Sequence, residues 1–329
     1  MGAVYRAIHQ TTGAAVALKV VPVPDETLLA AFRREIFALR SLDHPWVVNI
    51  IADGVSDGQP WYAMPLLGGS TLAEMIDDVH GFGDARGPSH NTLAAEAMTA
   101  DTLAPPAEER AAVADYRALV AVIRALCEPL AYVHGKGLVH RDLKPANVPI
   151  EPLGTPVLVD FGLALQFAGG NTRDVLDVAG HALGTPPYMA PEQIRGDLVD
   201  ARADLYALGC MLYECITGAV PFLGSSTQVL TQHLNRKPRP PSELSDGVPP
   251  QLDDLVLRLL EKEPRDRLGF ATDLARALDD ITSNPALSVR GAAEPSPYLY
   301  RPTLAGRWEV LLELEPTLER HLERRANRA

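Results

Sequence analysis

The chain has 329 residues, 47% of them hydrophobic, so it can bury a sizeable core and does not have the composition of a disordered polymer. Its 30 basic and 42 acidic residues give a formal net charge of −12, which disfavours nucleic acid and anionic membranes as partners, because both require a basic surface. The three cysteines form no C-x-x-C pair, which argues against a disulfide framework and indicates a reducing compartment.

Targeting signals are not evident in the sequence. No stretch reaches the ~18–20 apolar residues of a membrane span, and the N-terminus lacks the order of regions that defines a signal peptide. We therefore predict a cytoplasmic protein without a membrane span. The nine histidines show no H-E-x-x-H or Cys/His cluster, so a zinc site is not expected.

The first 65 residues predict a small sheet with one helix. Residues 4–8 and 15–21 have strand composition and flank a turn signal at residues 10–13. Residues 26–41 carry apolar side chains at helical spacing. Two further strands are predicted at 47–52 and 61–64.

From about residue 70 the sequence predicts long amphipathic helices instead. These helices are expected at residues 113–134, 204–216, 252–260 and 272–281, with a short strand at 156–159. Residues 78–112 are rich in Ala, Gly, Pro and acidic residues, and are interpreted as an insertion. Residues 284–302 form a Pro/Ser/Ala-rich linker before a Glu/Arg-rich helical tail.

One run of residues carries the chemistry. It reads His140-Arg141-Asp142-Leu143-Lys144-Pro145-Ala146-Asn147, and Asp160-Phe161-Gly162 begins 13 residues after Asn147. One aspartate can orient an attacking hydroxyl, while an amide and a second aspartate can hold the metal that neutralises ATP phosphates. The pattern therefore favours phosphoryl transfer from Mg-ATP to a hydroxyl group.

With these motifs, residues 1 to about 283 resemble the eukaryotic-like Ser/Thr protein kinases of bacteria. The resemblance implies an α+β, two-lobed protein-kinase fold. Residues 1–66 would be a small, mostly-β N-lobe lacking its first strand, 67–283 a large, mostly-α C-lobe with an insertion at about 78–112, and 284–329 a linker and helical tail. ATP and Mg²⁺ would lie in the cleft between the lobes. The implied activity is transfer of the γ-phosphoryl group to Ser/Thr of protein substrates in signalling, including autophosphorylation.

The resemblance assigns catalytic roles residue by residue. Asp142 would be the base that accepts or orients the acceptor proton, and Lys144 the residue that contacts the γ-phosphate and favours Ser/Thr acceptors. Asn147 and Asp160 would bind Mg²⁺. Lys19, in Val16-Ala17-Leu18-Lys19, would contact the α/β-phosphates and pair with Glu35. The ATP-binding set would be Gly2, Val4, Ala17, Lys19, Met64, Leu67 and Asp160.

Regulation and substrate docking are implied by three further residues. Arg141 would be neutralised by a phosphorylated loop, and Thr172 is the candidate phosphosite, although an unmodified loop threonine is an equal alternative. Residues 184–192 would form the substrate-docking loop, with Thr185 near Asp142 and Lys144. Three scaffold residues are implied as well: a buried Glu192–Arg267 bridge, and Asp204 bracing the catalytic-loop backbone.

The family pattern is incomplete at the N-terminus. Of G-x-G-x-x-G-x-V, only Gly2 and Val4 are present. The first two glycines are missing, and with them two backbone N–H groups that would bind the phosphates. At ~1.5–3 kcal/mol per hydrogen bond to a charged group, the loss of two such bonds would weaken ATP binding roughly 10²- to 10⁴-fold. We expect a start assigned at an internal methionine, with coding sequence upstream. Pro65 and Pro149 are further departures from the family pattern. At these positions of the ATP pocket, family members usually carry an acidic residue and a leucine, respectively.

Two other functions remain open at this stage. A pseudokinase-like scaffold is favoured by the truncated Gly-rich loop, whereas intact Lys19, Asp142 and Asp160 disfavour it. Small-molecule phosphotransfer on the same fold is disfavoured by residues 184–192, which suit a peptide acceptor. Residues 298–307 resemble the lead-in to an ATPase or sensor module found after some bacterial kinase domains, but no G-x-x-x-x-G-K-[ST] motif follows.

Overall fold

The N-terminal part of the fold is a four-stranded antiparallel sheet. The structure is a computed structural model that describes residues 3–20, 36, 40, 42–56, 58–82, 115–152, 154–161 and 185–283. The strands are β1 (Ala3–Ile8), β2 (Ala15–Val20), β3 (Ala52–Ser56) and β4 (Gln59–Pro65), in the order β1-β2-β4-β3. This sheet, followed by a mostly helical part, confirms the α+β two-lobed fold.

The strand predictions succeed at residues 4–8, 15–21 and 61–64 and fail at 47–52 and 156–159. Residues 156–159 form only isolated bridges, from Pro156 and Leu158. In the turn between β1 and β2, the His9 N–H donates to the carbonyl of Ala14 and the Gly13 N–H donates to that of His9, and Gly13 adopts φ +70°. The strand predicted at residues 47–52 is wrong, because β3 lies at Ala52–Ser56. The main chain around Val47 is engaged elsewhere: Val48 donates to the carbonyl of Leu158, and Leu158 donates to that of Trp46.

A separate two-stranded sheet lies where the chain enters the helical part. Strand β5 (Ser70–Thr71) pairs with β6 (Pro149–Ile150), directly after the catalytic run. Gly69 precedes it at φ +106°, and a Cβ at this position would lie 2.1 Å from the carbonyl oxygen of Ile150. Only glycine fits such a close approach. Helix α1 (Leu72–Val79) starts immediately afterwards with a Thr71–Glu74 capping box.

The helical part contains six more helices among the described residues. They are α2 (Arg117–Gly135), α3 (Pro191–Arg195), α4 (Ala201–Thr217), α5 (Ser226–Asn235), α6 (Pro250–Leu259) and α7 (Ala271–Ser283). The four predicted amphipathic helices correspond to α2, α4, α6 and α7, with ends shifted by at most four residues. Helices α1, α3 and α5 were not predicted; α5 has little apolar periodicity, but its Ser225–Gln228 capping box was a readable start signal.

Helix α4 is the centre of the core. Every residue from Ala203 to Cys215 is buried in it, and its buried polar side chains Asp204 and Glu214 accept hydrogen bonds. Gly209 allows α6 to approach, since a Cβ there would lie 2.7 Å from Leu259 Cβ. The three cysteines are free and lie buried in α2 and α4. Burial raises the pKa of the Cys127 thiol to about 12 and that of Cys210 and Cys215 as well, so all three are unreactive.

One helix in the part of the chain that the structure describes meets the length and composition of a membrane span, contrary to the sequence expectation. It is α2, and half of its most apolar window is buried inside the domain. There α2 packs against α4 and α7, with Leu119, Ile123, Leu126 and Leu130 fully buried. Its place in the core accounts for its apolar composition.

The predicted insertion and tail fall largely outside the described residues. Asp78 and Val79 end α1 and residues 80–82 follow it, so only residues beyond 82 remain available for an insertion. Residues 83–114 and 284–329 are not described, and the linker, the helical tail and the downstream module stay predictions.

Candidate active site

Strand register aligns the predicted nucleotide residues on one face of the sheet. Val4 lies opposite Lys19 and Lys19 opposite Tyr62, while Ala17 lies opposite Met64. Directly paired residues of antiparallel strands share a face, and so do residues two apart in a strand. The five side chains therefore form one surface, on which Val4 is exposed and Ala17, Tyr62 and Met64 are buried.

Lys19 connects this surface to the residue that begins the Asp-Phe-Gly motif. Its Nζ lies 2.6 Å from Asp160 Oδ1, with both side chains about one-fifth exposed. The Tyr62 hydroxyl donates to the same carboxylate oxygen at 3.4 Å, and Lys19 Nζ lies 5.9 Å from the centre of the Tyr62 ring. Asp160 is held at φ +57°, a strained backbone conformation for a non-glycine residue.

The catalytic run places three polar side chains in mutual contact. Thr185 Oγ1 donates to Asp142 Oδ1 at 3.0 Å and accepts from Lys144 Nζ at 2.9 Å. Lys144 Nζ also lies 3.3 Å from Asp142 Oδ2. Asp142 is about one-fifth exposed while Lys144 is nearly buried, so the carboxylate is fixed in orientation and still open on one side. The predicted proximity of Thr185 to both residues is confirmed.

Asn147 and Asp160 offer oxygen atoms that suit a hard divalent cation. The Asn147 amide nitrogen donates to the main-chain and side-chain oxygens of Asp142 at 2.9 and 3.3 Å. Neither Asn147 Oδ1 nor Asp160 Oδ2 makes a hydrogen bond within the described residues. No cluster of three or more His, Cys, Asp or Glu side chains occurs in these ranges. Such a sparse donor set fits a cation whose remaining ligands are water and phosphate.

Asp204 in α4 braces the backbone of the catalytic run, as predicted. Its carboxylate accepts from the main-chain N–H of His140 and of Arg141, each at 2.8 Å, and lies 2.8 Å from His134 Nε2. Burial acts to raise the Asp204 pKa, but the bond to His134 and the neighbouring donors outweigh it and hold the pKa below its ordinary value. The brace fixes Arg141 at φ +68°, immediately before Asp142.

His140 connects the catalytic run to the segment that leads into Asp160. Its ring is fully buried, with Nε2 2.9 Å from the carbonyl of Val159 and its centre 4.6 Å from the Phe161 ring. Burial lowers the pKa of His140 despite the opposing charge of Asp204, so the ring is neutral and Nε2 donates. The positions of Asp142 and Asp160 are thereby linked.

The predicted Glu192–Arg267 bridge anchors the end of residues 184–192, the predicted substrate-docking loop, called the docking segment below. Arg267 is fully buried and donates to both Glu192 carboxylate oxygens at 2.7 Å. Next to Glu192, the Gln193 side chain accepts from Ala190 N–H and donates to the carbonyl of Arg141. The docking segment is thus anchored both to the core and to the catalytic run.

Two of the remaining predicted site residues are described by the structure, and three others lie outside the described residues. Leu67 is half-buried beyond the end of β4, and Arg141 has a buried Nε without a hydrogen bond in the described ranges. Gly2, Glu35 and Thr172 lie outside the described residues, so their roles remain predictions.

Three residues that contact the predicted site residues were not predicted from the sequence: Tyr62, His134 and Gln193. Tyr62 could have been found from strand alternation, since it shares a face with the predicted Met64. His134 and Gln193 act through the buried Asp204 and through Arg141, both distant in sequence. No local pattern marks such contacts.

Comparison with known proteins agrees with this geometry. The family model of the protein kinase domain matches residues 1–278. The chain belongs to the protein kinase domain family. Use of ATP and a divalent metal is characteristic of this family.

Similar kinases come from mycobacteria. Serine/threonine-protein kinase PknB of Mycobacterium leprae is 33% identical over 276 residues, covering 82% of this chain and 39% of the relative. Serine/threonine-protein kinase PknL of Mycobacterium tuberculosis is 34% identical over 288 residues, covering 86% of this chain and 63% of PknL. The chain therefore spans less than two thirds of either relative.

A solved structure shares the fold. The crystal structure of the Mycobacterium tuberculosis PknI kinase domain aligns with a TM-score of 0.60 at 27% identity, over 85% of this chain and 91% of that domain.

Proposed function

We propose that this kinase domain transfers the γ-phosphoryl group of ATP to serine and threonine hydroxyls of proteins, its own included. The observation that carries the proposal is the Asp142–Thr185–Lys144 cluster, in which one carboxylate is oriented by a hydroxyl and an ammonium within 3.3 Å. Relatives named serine/threonine-protein kinases, PknB and PknL, support the acceptor class.

Asp142 has the geometry of the residue that accepts the acceptor proton. Thr185 occupies Oδ1, and Lys144 with Asn147 lies beside Oδ2, so the carboxylate cannot rotate away from its open side. An acceptor hydroxyl on that side is oriented for attack on the γ-phosphorus, with departure of the ADP oxygen. Positioning of this kind supplies most of the catalysis in phosphoryl transfer.

Lys144 and Lys19 supply fixed positive charge on two sides of the reacting group. Lys144 lies within the Asp142–Thr185 cluster, where its ammonium can meet the charge of the γ-phosphoryl oxygens. Lys19 projects from β2 towards Asp160, on the face where Ala17 and Met64 offer an apolar surface to the base. Charge placed in a partly desolvated site acts more strongly than in water.

We further propose Mg²⁺ as the metal, held by Asn147 Oδ1 and Asp160 Oδ2. When bound there, Mg²⁺ would neutralise negative charge on the ATP phosphates. The support is the hard-oxygen character of both donors and their freedom from hydrogen bonds within the described ranges. We also propose a cytoplasmic site of action, supported by three buried free thiols.

The test compares wild type with Asp142→Asn in γ-labelled ATP with Mg²⁺ and Ser, Thr and Tyr peptides. We expect label on Ser and Thr for wild type and a loss of at least about 10²-fold in Asp142→Asn, the lower range for losing a general base. Asp254→Asn, on the exposed face of α6, is the matched control and should transfer normally. Equal incorporation by wild type and Asp142→Asn would refute the assignment, and label confined to Tyr would refute the acceptor class.

A further inference from the structure

A buried polar group behind the docking segment takes no part in the active site described above. Helix α5 contacts the turn Pro186–Tyr188, which directly follows Thr185. His233, in the last turn of α5, has no exposed surface. Its ring lies edge-on to Phe222, with the centres 4.9 Å apart.

The buried polar group consists of Lys262, Tyr206 and His233, and its hydrogen bonds run from Lys262 to Tyr206 and from Tyr206 to His233. Lys262 Nζ lies 3.4 Å from the Tyr206 hydroxyl and 4.6 Å from the centre of the Phe222 ring. Because a lysine ammonium only donates, the Tyr206 oxygen is the acceptor there. Burial raises the pKa of Tyr206 well above its ordinary value, so its hydroxyl keeps the proton. That proton is available to His233 Nδ1, 2.8 Å away.

His233 is therefore neutral and carries its own proton on the opposite nitrogen. Burial lowers the pKa of His233 to about 3 and the charge of Lys262 acts in the same direction, whereas the backbone of Pro187 and Pro186 acts against them. A neutral imidazole that accepts at Nδ1 must donate at Nε2. A proline backbone has no N–H, so these two prolines can act only through their carbonyl groups.

The Nε2 atom is buried without a hydrogen bond of normal geometry in the described parts of the chain. Because α5 packs against Pro186–Tyr188, the carbonyls of this turn are the candidate acceptors for the Nε2 proton. A buried donor left unsatisfied is costly, and polar contacts at active sites often tighten only when substrate binds.

We propose that His233 is a positioning residue for the acceptor peptide: its Nε2–H holds the carbonyls of Pro186 and Pro187, and Tyr206 fixes the tautomer that makes this possible. The proposal rests on the proposed kinase function and extends it. Since Thr185 joins this turn to Asp142, a displaced turn alters how an acceptor meets the catalytic carboxylate. Nucleotide contacts from Lys19 and Asp160 come from other elements and should be unaffected.

The kinetic test uses two amide replacements at one position. His233→Asn keeps an acceptor near Tyr206 but is too short to reach the turn, whereas His233→Gln places a donor near the Nε2 position. We expect His233→Asn to raise the KM for a protein-derived peptide roughly tenfold, the value of about 1.4 kcal/mol, with the KM for ATP changed less than twofold. His233→Gln should recover most of the loss. Thr227→Ala, on the exposed face of α5, is the matched control.

A purely structural role predicts a different pattern. Equal increases in both KM values, or no recovery in His233→Gln, would overturn the proposal. The tautomer is measured separately, on full-length protein labelled with ¹⁵N-histidine. We expect the His233 proton on Nε2 in wild type and a shift towards the Nδ1–H form in Tyr206→Phe. A wild-type proton on Nδ1 would overturn the proposal even if kinetics agreed. This measurement needs no phosphoryl transfer, so it decides the proposal by itself if the kinase assay fails.

Discussion

The buried Glu192–Arg267 bridge offers the sharpest stability prediction. The guanidinium is fully buried and donates to two carboxylate oxygens and to the carbonyls of Arg202, Glu261 and Lys262, at 2.7 to 3.1 Å. It also lies 4.8 Å from the centre of the Tyr206 ring. Arg267→Met preserves much of the volume and removes every one of these donors.

The magnitude follows from what each variant leaves unpaired. Glu192→Gln leaves a buried guanidinium without its counter-charge, and removing one partner of a buried pair costs about 3–5 kcal/mol. Arg267→Met leaves a buried carboxylate without its counter-charge and removes one donor from each of three carbonyls, with a further ~1–3 kcal/mol for each group left unpaired. We therefore expect Arg267→Met to be the more destabilised variant, and to lose a large part of the ~5–15 kcal/mol that typically stabilises a domain.

Equilibrium urea unfolding at pH 7 measures both losses. The surface ion pairs of Arg195 with Asp197 and Glu263 provide the matched control, and Arg195→Met should cost less than ~1 kcal/mol. The double variant Glu192→Met/Arg267→Met removes both charges but still takes one donor from each of the three carbonyls, so it should remain less stable than wild type. A double variant as stable as wild type would refute this reasoning.

Three further predictions concern the site, the packing and pH. Thr185→Val should lower kcat/KM for peptide ~10- to 100-fold, the value of a hydrogen bond to charged groups, whereas Thr185→Ser should stay near wild type; equal activity of the two would contradict the cluster. Gly209→Ala should cost about 1–3 kcal/mol by overpacking against α6, while Gly135→Ala, with open space around its Cβ, should not destabilise; thermal melts compare them. The His233 pKa of about 3 lies below the ordinary 6.5, so stability is fully present above pH 6.5 and falls as pH drops towards 3. Between pH 7 and 5 wild type should lose about 2 kcal/mol more than His233→Gln in urea unfolding, and identical losses would contradict a buried neutral histidine.

The spacing of sequence motifs predicted the residues of the candidate active site, whereas the elements and buried groups around it were predicted less well. Lys19 and Asp160 are 141 residues apart, yet their motifs assigned both to the nucleotide site; their direct contact was not predicted. Helix predictions succeeded where one face is apolar, as in α2 and α7, since burial of that face stabilises the element.

The failures have physical causes in long-range pairing. Strand β3 was misplaced because the apolar residues Val47 and Ile50 pack into the core while the main chain around Val47 pairs with Leu158. The local pattern could not reveal a partner more than 100 residues away. The hydrogen-bonded group of Tyr206, His233 and Lys262 escaped for the same reason, since three separate segments contribute one residue each.

The pairing of β5 with β6 leaves only a short stretch of chain between the end of β4 and the segment held against the catalytic run. Gly69 packs against Ile150, and Leu72 donates to the carbonyl of Val148, so the chain from Gly69 onwards turns with the catalytic run. On the other side, Pro65 is still paired within the sheet. Rotation of the sheet against the helices must therefore involve residues 66–68, together with the chain between the Val48–Leu158 pairing and β3. Leu67, expected beside the nucleotide, belongs to this short stretch, so nucleotide binding and lobe closure would act on the same backbone torsions.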